Sequence, residues 1–370
     1  MKRIKTKDGI AEWKIDNFVE RILARCADKS IFMRNLYVNF YRIFDREYFN
    51  KGLTFIDKYI KLFVGEVTEK QRKEYIYDMV YSLHRFGCMF DEYFYFEFYN
   101  LNTLGKSSFI TDKTRWDYYS KMNTDENNRI LNDKRQAYEL FKVFYKRDLL
   151  QISSKEDIEE LEKFLTIHPR FIVKPIDSSG GRGIYIMDSS EYPDSAVLLD
   201  KLIENGAVVI EELIKQVPEM SVLNGSSVNT VRVPTLKLKD RVVIFNPFFR
   251  IGRQGAVVDN GFQGGILLAV DSSTGICKTC GFDESGKEYI THPDSNVILP
   301  GFQIPKWNQL IELAEKLANV LVDNNYVGWD LALTDKGWVM VEGNPRGQFL
   351  TQVITSRGIK HELENYINQM

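Results

Sequence analysis

Histidine and cysteine are both scarce in this sequence of 370 residues, with four of each. None of the histidines stands beside a serine or cysteine in a nucleophile setting, which argues against a hydrolase of the triad type. Cys26 and Cys88 are isolated in aromatic surroundings and read as buried thiols of a reducing compartment. Cys277-Lys278-Thr279-Cys280 has the spacing of half a zinc site, but no second such pair exists and His292 is the only histidine nearby. A pair of free thiols fits better. A surplus of one charge is also missing, since 49 basic residues oppose 51 acidic ones at a pI near 6.2. No bulk field therefore draws the chain to nucleic acid or a membrane. No apolar run reaches the ~18 residues of a membrane span. The basic start, MKRIKTKDGIAEWKID, lacks the apolar core of a secretion signal. No membrane insertion and a cytoplasmic location are expected.

What is present is a globular composition, 44% hydrophobic and 27% charged, long enough for two or three structural units. The first 130 residues carry dense aromatic segments of helical character: Ile15–Ala27, Ile31–Tyr48, Glu69–Phe86, Cys88–Leu101 and Asp112–Met122. Within them the run from Glu92 to Tyr99 has no clean period and suits a buried helix or a strand. From Asn132 the texture changes. Asn132 and Asp133 can cap a helix over Lys134–Tyr145, which leaves Lys134 in the first turn, and Ser153 to Glu156 resembles a capping box opening Ile158–Leu165.

Two short β-branched runs follow, Phe171–Val173 and Ile184–Met187, joined by the serine- and glycine-rich stretch from Asp177 to Gly183. In the familiar phosphate loop the lysine follows the glycines and the loop opens a helix. Here Lys174 precedes them and the element is a hairpin. Gly180, Gly181 and Gly183 allow close backbone approach to a polyphosphate, Ser178 and Ser179 offer hydroxyl donors, and Lys174 can add an ammonium; an ordinary glycine turn would look similar. The strand Ala207–Ile214 runs into acids. Its end, Glu211, Glu212, Leu213 and Ile214, is either a surface strand end or a backbone edge for adenine, with Glu219 in reach of a ribose hydroxyl.

Farther on, Asn229–Val233 and Arg241–Arg250 read as sheet joined by a Lys239-Asp240 turn, and the glycine-rich stretch from Gly252 to Gly265 reads either as a mobile loop at a pocket edge, flanked by Arg250 and Arg253, or as a plain surface loop. Pro305–Asn324 reads as a helix with proline in its first turn. The last signal is a β-hairpin from Tyr326 to Arg346. A three-residue turn with Gly337 left-handed would pair Thr334 with Trp338 and set Asp330 opposite Glu342. Asn344 shares that face, while Leu331, Leu333, Val339 and Val341 point into a core. Opposed carboxylates are unfavourable unless a cation joins them, and these oxygen donors suit magnesium bridging phosphates.

In that order, the lysine, glycine-rich flap, strand end, acid, Glu-x-Asn and arginine resemble the ATP-grasp superfamily over Lys134 to Gln352. More narrowly, Ser227 to Arg232, the Asp259-Asn260 to Gly264-Gly265 loop, His292-Pro293-Asp294, Gly328-Trp329-Asp330 and Glu342-Gly343-Asn344 resemble its sugar-transfer-associated subfamily, which is linked with capsule and other surface polysaccharides. The resemblance implies an α/β (α+β) fold of two lobes clasping ATP, a small lobe over 131–215 and a large lobe over 216–370, behind a mainly helical region over 1–130. It implies ATP and Mg2+ as cofactors. Lys134, Lys174, the 178–183 flap, Glu211 to Ile214 and Glu219 would hold nucleotide, and Asp330, Glu342 and Asn344 the metal. Arg232, Arg250, Arg253 and Arg346 would hold substrate carboxylate or developing phosphate charge. The implied activity is a carboxylate-amine ligase working through an acyl phosphate on small-molecule, sugar-linked substrates; a kinase on the same fold and a non-catalytic nucleotide-binding module are the alternatives.

Overall fold

A computed structural model describes residues 3–5, 11–13, 22, 25–176, 182–259, 261 and 264–370. Most of the helix expected at Ile15–Ala27 and the flap residues Asp177, Ser178, Ser179, Gly180 and Gly181 lie outside them. The chain forms two compact units, one of residues 1–118 with 356–365 and the other of residues 119–355 with 366–370. Among the described residues no helix is long and apolar enough to cross a membrane.

In the first unit, strands β1 (Arg3–Lys5) and β2 (Ala11–Trp13) pair antiparallel, and three longer helices follow, α1 (Ile31–Phe44), α2 (Arg46–Phe63) and α3 (Glu69–Phe86). The single helix expected at Ile31–Tyr48 is therefore two. Asp45 ends α1 at φ −136°, and its carboxylate then caps α2 by accepting from the Tyr48 amide, the double duty a short acceptor side chain allows. Thr68 and Gln71 form a capping box at the start of α3, and left-handed Gly87 stops it at φ 69°. Tyr37, Val38, Ile56, Ile60, Met79 and Val80 fill the core between the helices. The aromatic run resolves as one helical turn, Glu92–Tyr95, and a tighter turn at Phe98–Asn100, separated by Glu97 at φ 51°. A strand is ruled out by local bonding: the half-buried Glu92 carboxylate accepts from the amides of Met89 and Asp112 at 2.9 and 2.8 Å and ties the turn to residues on either side of it.

The second unit carries two antiparallel sheets. The smaller has the order β3-β6-β4-β5, from Leu149–Ile152, Val208–Glu212, Arg170–Pro175 and Tyr185–Asp188. The hairpin on either side of the flap forms as expected, with Phe171 opposite Met187. Helix α4 (Lys134–Tyr145) precedes this sheet, and α5 (Ile158–Ile167) and α6 (Ser195–Ile203) bury Leu161, Phe164, Leu198 and Leu202 against Phe171 and Val173. The larger sheet has eight strands in the order β12-β11-β10-β9-β7-β13-β14, with β8 on β7. Its central members are β7 (Thr230–Lys237), β9 (Phe248–Ile251), β13 (Tyr326–Thr334) and β14 (Gly337–Asn344); β8 is Val242–Ile244 and β10 is Ile266–Ala269, and the edge strands β11 and β12 are Gly281–Phe282 and Glu288–Tyr289. Helix α7 (Trp307–Ala318) presses Leu310, Ala314 and Leu317 into its core, each large apolar side chain contributing about 2 kcal/mol by burial. It starts later than expected, because Lys306 adopts the left-handed conformation at φ 52° and leaves Pro305 outside.

The β13–β14 hairpin departs from its expected register in an instructive way. Thr334 pairs with Gly337, Leu333 with Trp338 and Leu331 with Met340, so the turn is one residue tighter and Trp338 and Met340 share the core cluster of Leu331 and Leu333, while Val339 is buried apart from that cluster and Val341 is half-buried. A β-bulge between Asp330 and Leu331 then absorbs Val341 and restores the pairing of Asp330 with Glu342. Two deviations cancel, and the acids face each other.

Candidate functional site

The large sheet brings its polar side chains into a row. Arg232 on β7 stands opposite Asp330 on β13, which stands opposite Glu342 on β14; Gly328 pairs with Asn344, and Arg250 on β9 pairs with Thr230 on β7. By the two-residue period all lie on one face. Arg232 grips Asp330 with two nitrogens, Nε to Oδ1 and Nη2 to Oδ2, the latter at 2.8 Å. Arg250 adds Nη1 to the same Oδ2 at 2.8 Å and gives Nη2 to Asp259 at 2.6 Å. The other Asp259 oxygen accepts from the backbone and hydroxyl of Thr230 at 2.8 and 2.5 Å, and Asn344 Nδ2 lies 3.4 Å from Asp330. A Cβ on Gly328 would stand 3.0 Å from the Arg232 Cδ, so the glycine leaves room for the arginine stem.

Two of the carboxylates, Asp330 and Asp259, are far from water. Asp330 is 4% exposed; burial alone would raise its carboxyl, but the guanidiniums of Arg232 and Arg250 outweigh it and hold it below the usual range. Asp259 goes the other way, raised by burial that Arg250 and Thr230 only partly offset. Glu342, by contrast, is exposed. The row therefore offers one carboxylate locked between two arginines and one open to solvent.

A second cluster forms on the small sheet. Lys174 on β4 donates to Glu211 on β6 at 2.7 Å, and Arg147 donates Nε to the other Glu211 oxygen at 2.9 Å. Burial pushes Glu211 up, but Lys174 and Arg147 overcome this and hold its carboxyl at about 2. Arg147 also donates to the carbonyls of Met340 and Val341 at 2.5 and 3.3 Å, the two residues before Glu342. One buried guanidinium thus ties the lysine-bearing small sheet to the acid-bearing strand of the large one. Asp133 caps α4 by accepting from the amides of Arg135 and Gln136, each at 3.0 Å, which sets Lys134 at the first helical position. Its ammonium donates to the carbonyls of Pro175 and Ile176, both at 3.2 Å, at the root of the flap. Gly183, at the other root, is left-handed at φ 71°.

Not every sequence-named residue joins these clusters. Glu211 turns its side chain to Lys174 and Arg147, whereas Glu212 ends β6 and accepts from Lys336 at 3.2 Å. Leu213 and Ile214 follow the strand half-buried. The chain then crosses to the large sheet, where the Val217 amide donates to Leu333, and Glu219 lies exposed in a short helix, Pro218–Ser221. Arg253 pairs with Asp294 at 2.8 Å and Arg346 with Asp125 at 3.2 Å, partners that are not members of the Asp330 row. Ser178, Ser179, Gly180 and Gly181 lie outside the described residues. Two participants carried no sequence signal of their own: Arg147, a single arginine after a helix, and Asp259, whose loop was marked but whose pairing with Arg250 depends on sheet register.

The family described as sugar-transfer associated ATP-grasp matches residues 113–368, more than two thirds of the chain. No curated protein matches it. Among solved structures, the chain is similar to the ATP-grasp ligase PsnB complexed with a minimal precursor, at 14% identity over 67% of this chain and 62% of that one with a TM-score of 0.40. It is similar to D-alanine–D-alanine ligase from Helicobacter pylori, at 16% identity over 67% and 61% with a TM-score of 0.40. A third is N5-carboxyaminoimidazole synthase from Aspergillus clavatus, at 12% identity over 69% and 58% with a TM-score of 0.41. The chain thus spans less than two thirds of the length of each, and their substrates stay theirs. With the family's ordered motifs matched over most of its length, the chain belongs to the sugar-transfer associated ATP-grasp family.

Proposed function

We propose that this protein is an ATP-dependent carboxylate-amine ligase that makes an amide through an acyl phosphate, with a uronic acid or amino sugar joined to an amino acid in surface-polysaccharide assembly. Residues 131–215 and 216–370 would act as its two lobes. The observation that carries the reading is the row Arg232–Asp330–Glu342–Asn344 with Arg250 beside it, linked through Arg147 and Glu211 to Lys174.

The donor set fits a hard divalent cation: two carboxylates on paired strands, one exposed, with an amide side chain next to them. Asp330, Glu342 and Asn344 would hold magnesium, which when bound neutralises phosphate charge between the two lobes. Lys174, paired with Glu211, and Lys134, at the flap root, would meet the phosphates of the substrate ATP. An oxygen of the substrate carboxylate then bonds to the γ-phosphorus as the bond to the β-phosphate oxygen breaks, releasing ADP. The amine attacks the acyl carbon, inorganic phosphate leaves, and the amine gives up a proton. Arg232 and Arg250 would orient the carboxylate and stabilise the charge that develops on the transferring phosphoryl group. No side-chain nucleophile is needed, which agrees with the scarcity of histidine and cysteine.

Protein, ATP and magnesium incubated with pooled amino acids and uronic or amino sugars should release ADP only when both an acid and an amine are present, together with a new amide. ADP with a phosphorylated sugar and no amide would replace this reading with a kinase. Nucleotide binding without turnover on any pool would reduce it to a binding module.

A further inference from the structure

Helix α1 is built with two apolar faces, and among the described residues only one is packed. Tyr37, Val38 and Tyr41 are buried within the first unit. Phe32, Leu36, Phe40 and Ile43 follow one another at helical spacing on another side and are 73%, 54%, 44% and 74% exposed, with Phe44 beyond them at 72%. Isolated exposed hydrophobics are ordinary, but a stripe of large ones along a whole helix marks a contact surface.

The charge around the stripe indicates what it meets. The chain as a whole is nearly neutral, yet residues 25–64 hold eight basic residues and four acidic ones, and α1 itself contains no acid. Two of those four acids, Asp28 and Asp57, are already engaged by Arg85 and Arg72 from α3. Arg42 and Arg46, which bracket Ile43 and Phe44, are exposed, as are Lys58 and Lys61 on α2. Fourteen residues of helix, about 21 Å long, with phenylalanine and isoleucine outward and exposed basic groups in its last turn and on the next helix, match a helix that lies in the plane of a bilayer surface rather than across it.

We propose that the outer face of α1 docks this unit on an anionic lipid surface, Phe32, Leu36, Phe40 and Ile43 entering the headgroup–acyl boundary while Arg42, Arg46, Lys58 and Lys61 meet lipid phosphates. This does not depend on the ligase reading; a chain without activity would bind equally.

The test is flotation of the full chain with vesicles of phosphatidylcholine alone or of phosphatidylcholine mixed with phosphatidylglycerol. The protein should float with the mixed vesicles, stay down with the neutral ones, and be released at about 1 M salt, where screening falls to a few ångströms. Leu36→Glu with Ile43→Glu should abolish flotation. Arg42→Glu with Arg46→Glu, which alters only exposed groups, should weaken binding about tenfold or more while leaving the melting temperature unchanged, and so keeps the test sound if the first variant unfolds. Absence of flotation with mixed vesicles, equal flotation with neutral ones, or wild-type binding by the arginine variant would overturn the proposal. So would a dimer in sedimentation that the Leu36/Ile43 variant converts to a monomer, since the face would then join two copies of the chain.

Discussion

Glu211→Gln is the most informative single change outside the acid row, because one buried carboxylate organises two cations, the buried Arg147 and the half-buried Lys174. In the wild type Glu211 is 3% exposed and held at about 2 against an ordinary 4.5. A depression of that size corresponds to about 3 kcal/mol of pairing at neutral pH. The folded-state value is lowered, so this stability is present above pH ~4.5 and is lost as pH falls toward ~2. Glutamine keeps the shape but leaves Lys174 and Arg147 without their counter-charge, and breaking a buried pair from one side costs about 3–5 kcal/mol. Urea denaturation at neutral pH should show a loss of about 3 kcal/mol, and the variant should lack the acid limb that Glu211 gives the wild type between pH ~4.5 and ~2. ATP binding should weaken as well, since Lys174 loses the partner that fixes it. A loss below about 1 kcal/mol, the range of an exposed pair, together with an unchanged acid limb, would show that Glu211 does not organise the cluster.

Other outcomes follow from the same geometry. Gly343→Ala places a Cβ 2.8 Å from the Trp329 ring and 3.0 Å from Leu131, and should lower stability by about 1–3 kcal/mol through overpacking, read as a drop in melting temperature. Asp330→Asn leaves the half-buried Arg232 and Arg250 without their shared, buried carboxylate; it should destabilise by about 3–5 kcal/mol in chemical denaturation and must therefore be compared with a folded control before any loss of activity is ascribed to the proposed metal site. Cys277 is buried and its thiol pushed up to about 12, so it should resist a thiol reagent in the native protein at neutral pH and react only after denaturation; rapid native labelling at Cys277 would contradict its burial.

Much of the second unit was legible because its signals are local. Asp133 before an amphipathic run, the flap between two β-branched strands, and the alternation through β13 and β14 each depend on neighbours within a few residues, and the family motifs fall in that same stretch. What was not legible depends on groups far apart in sequence. Arg147 meets Glu211 and Met340 across 64 and 193 positions, and no spacing rule announces such a contact. The break at Asp45 was hidden because aromatic residues continue on both sides of it. The hairpin register shows the limit most clearly: the turn was tighter than counted, a bulge at Val341 compensated, and the pairing of Asp330 with Glu342 was reached through two errors of opposite sign.

Glu342 separates the proposed metal role from stability, because it is exposed and faces a carboxylate already satisfied by two arginines. Titrating ATP into wild type and Glu342→Gln, each with and without magnesium, should show that magnesium tightens binding to the wild type and has little effect on the variant, whose melting temperature is unchanged. Equal magnesium dependence in both proteins would contradict the placement of the metal on the β13–β14 ribbon.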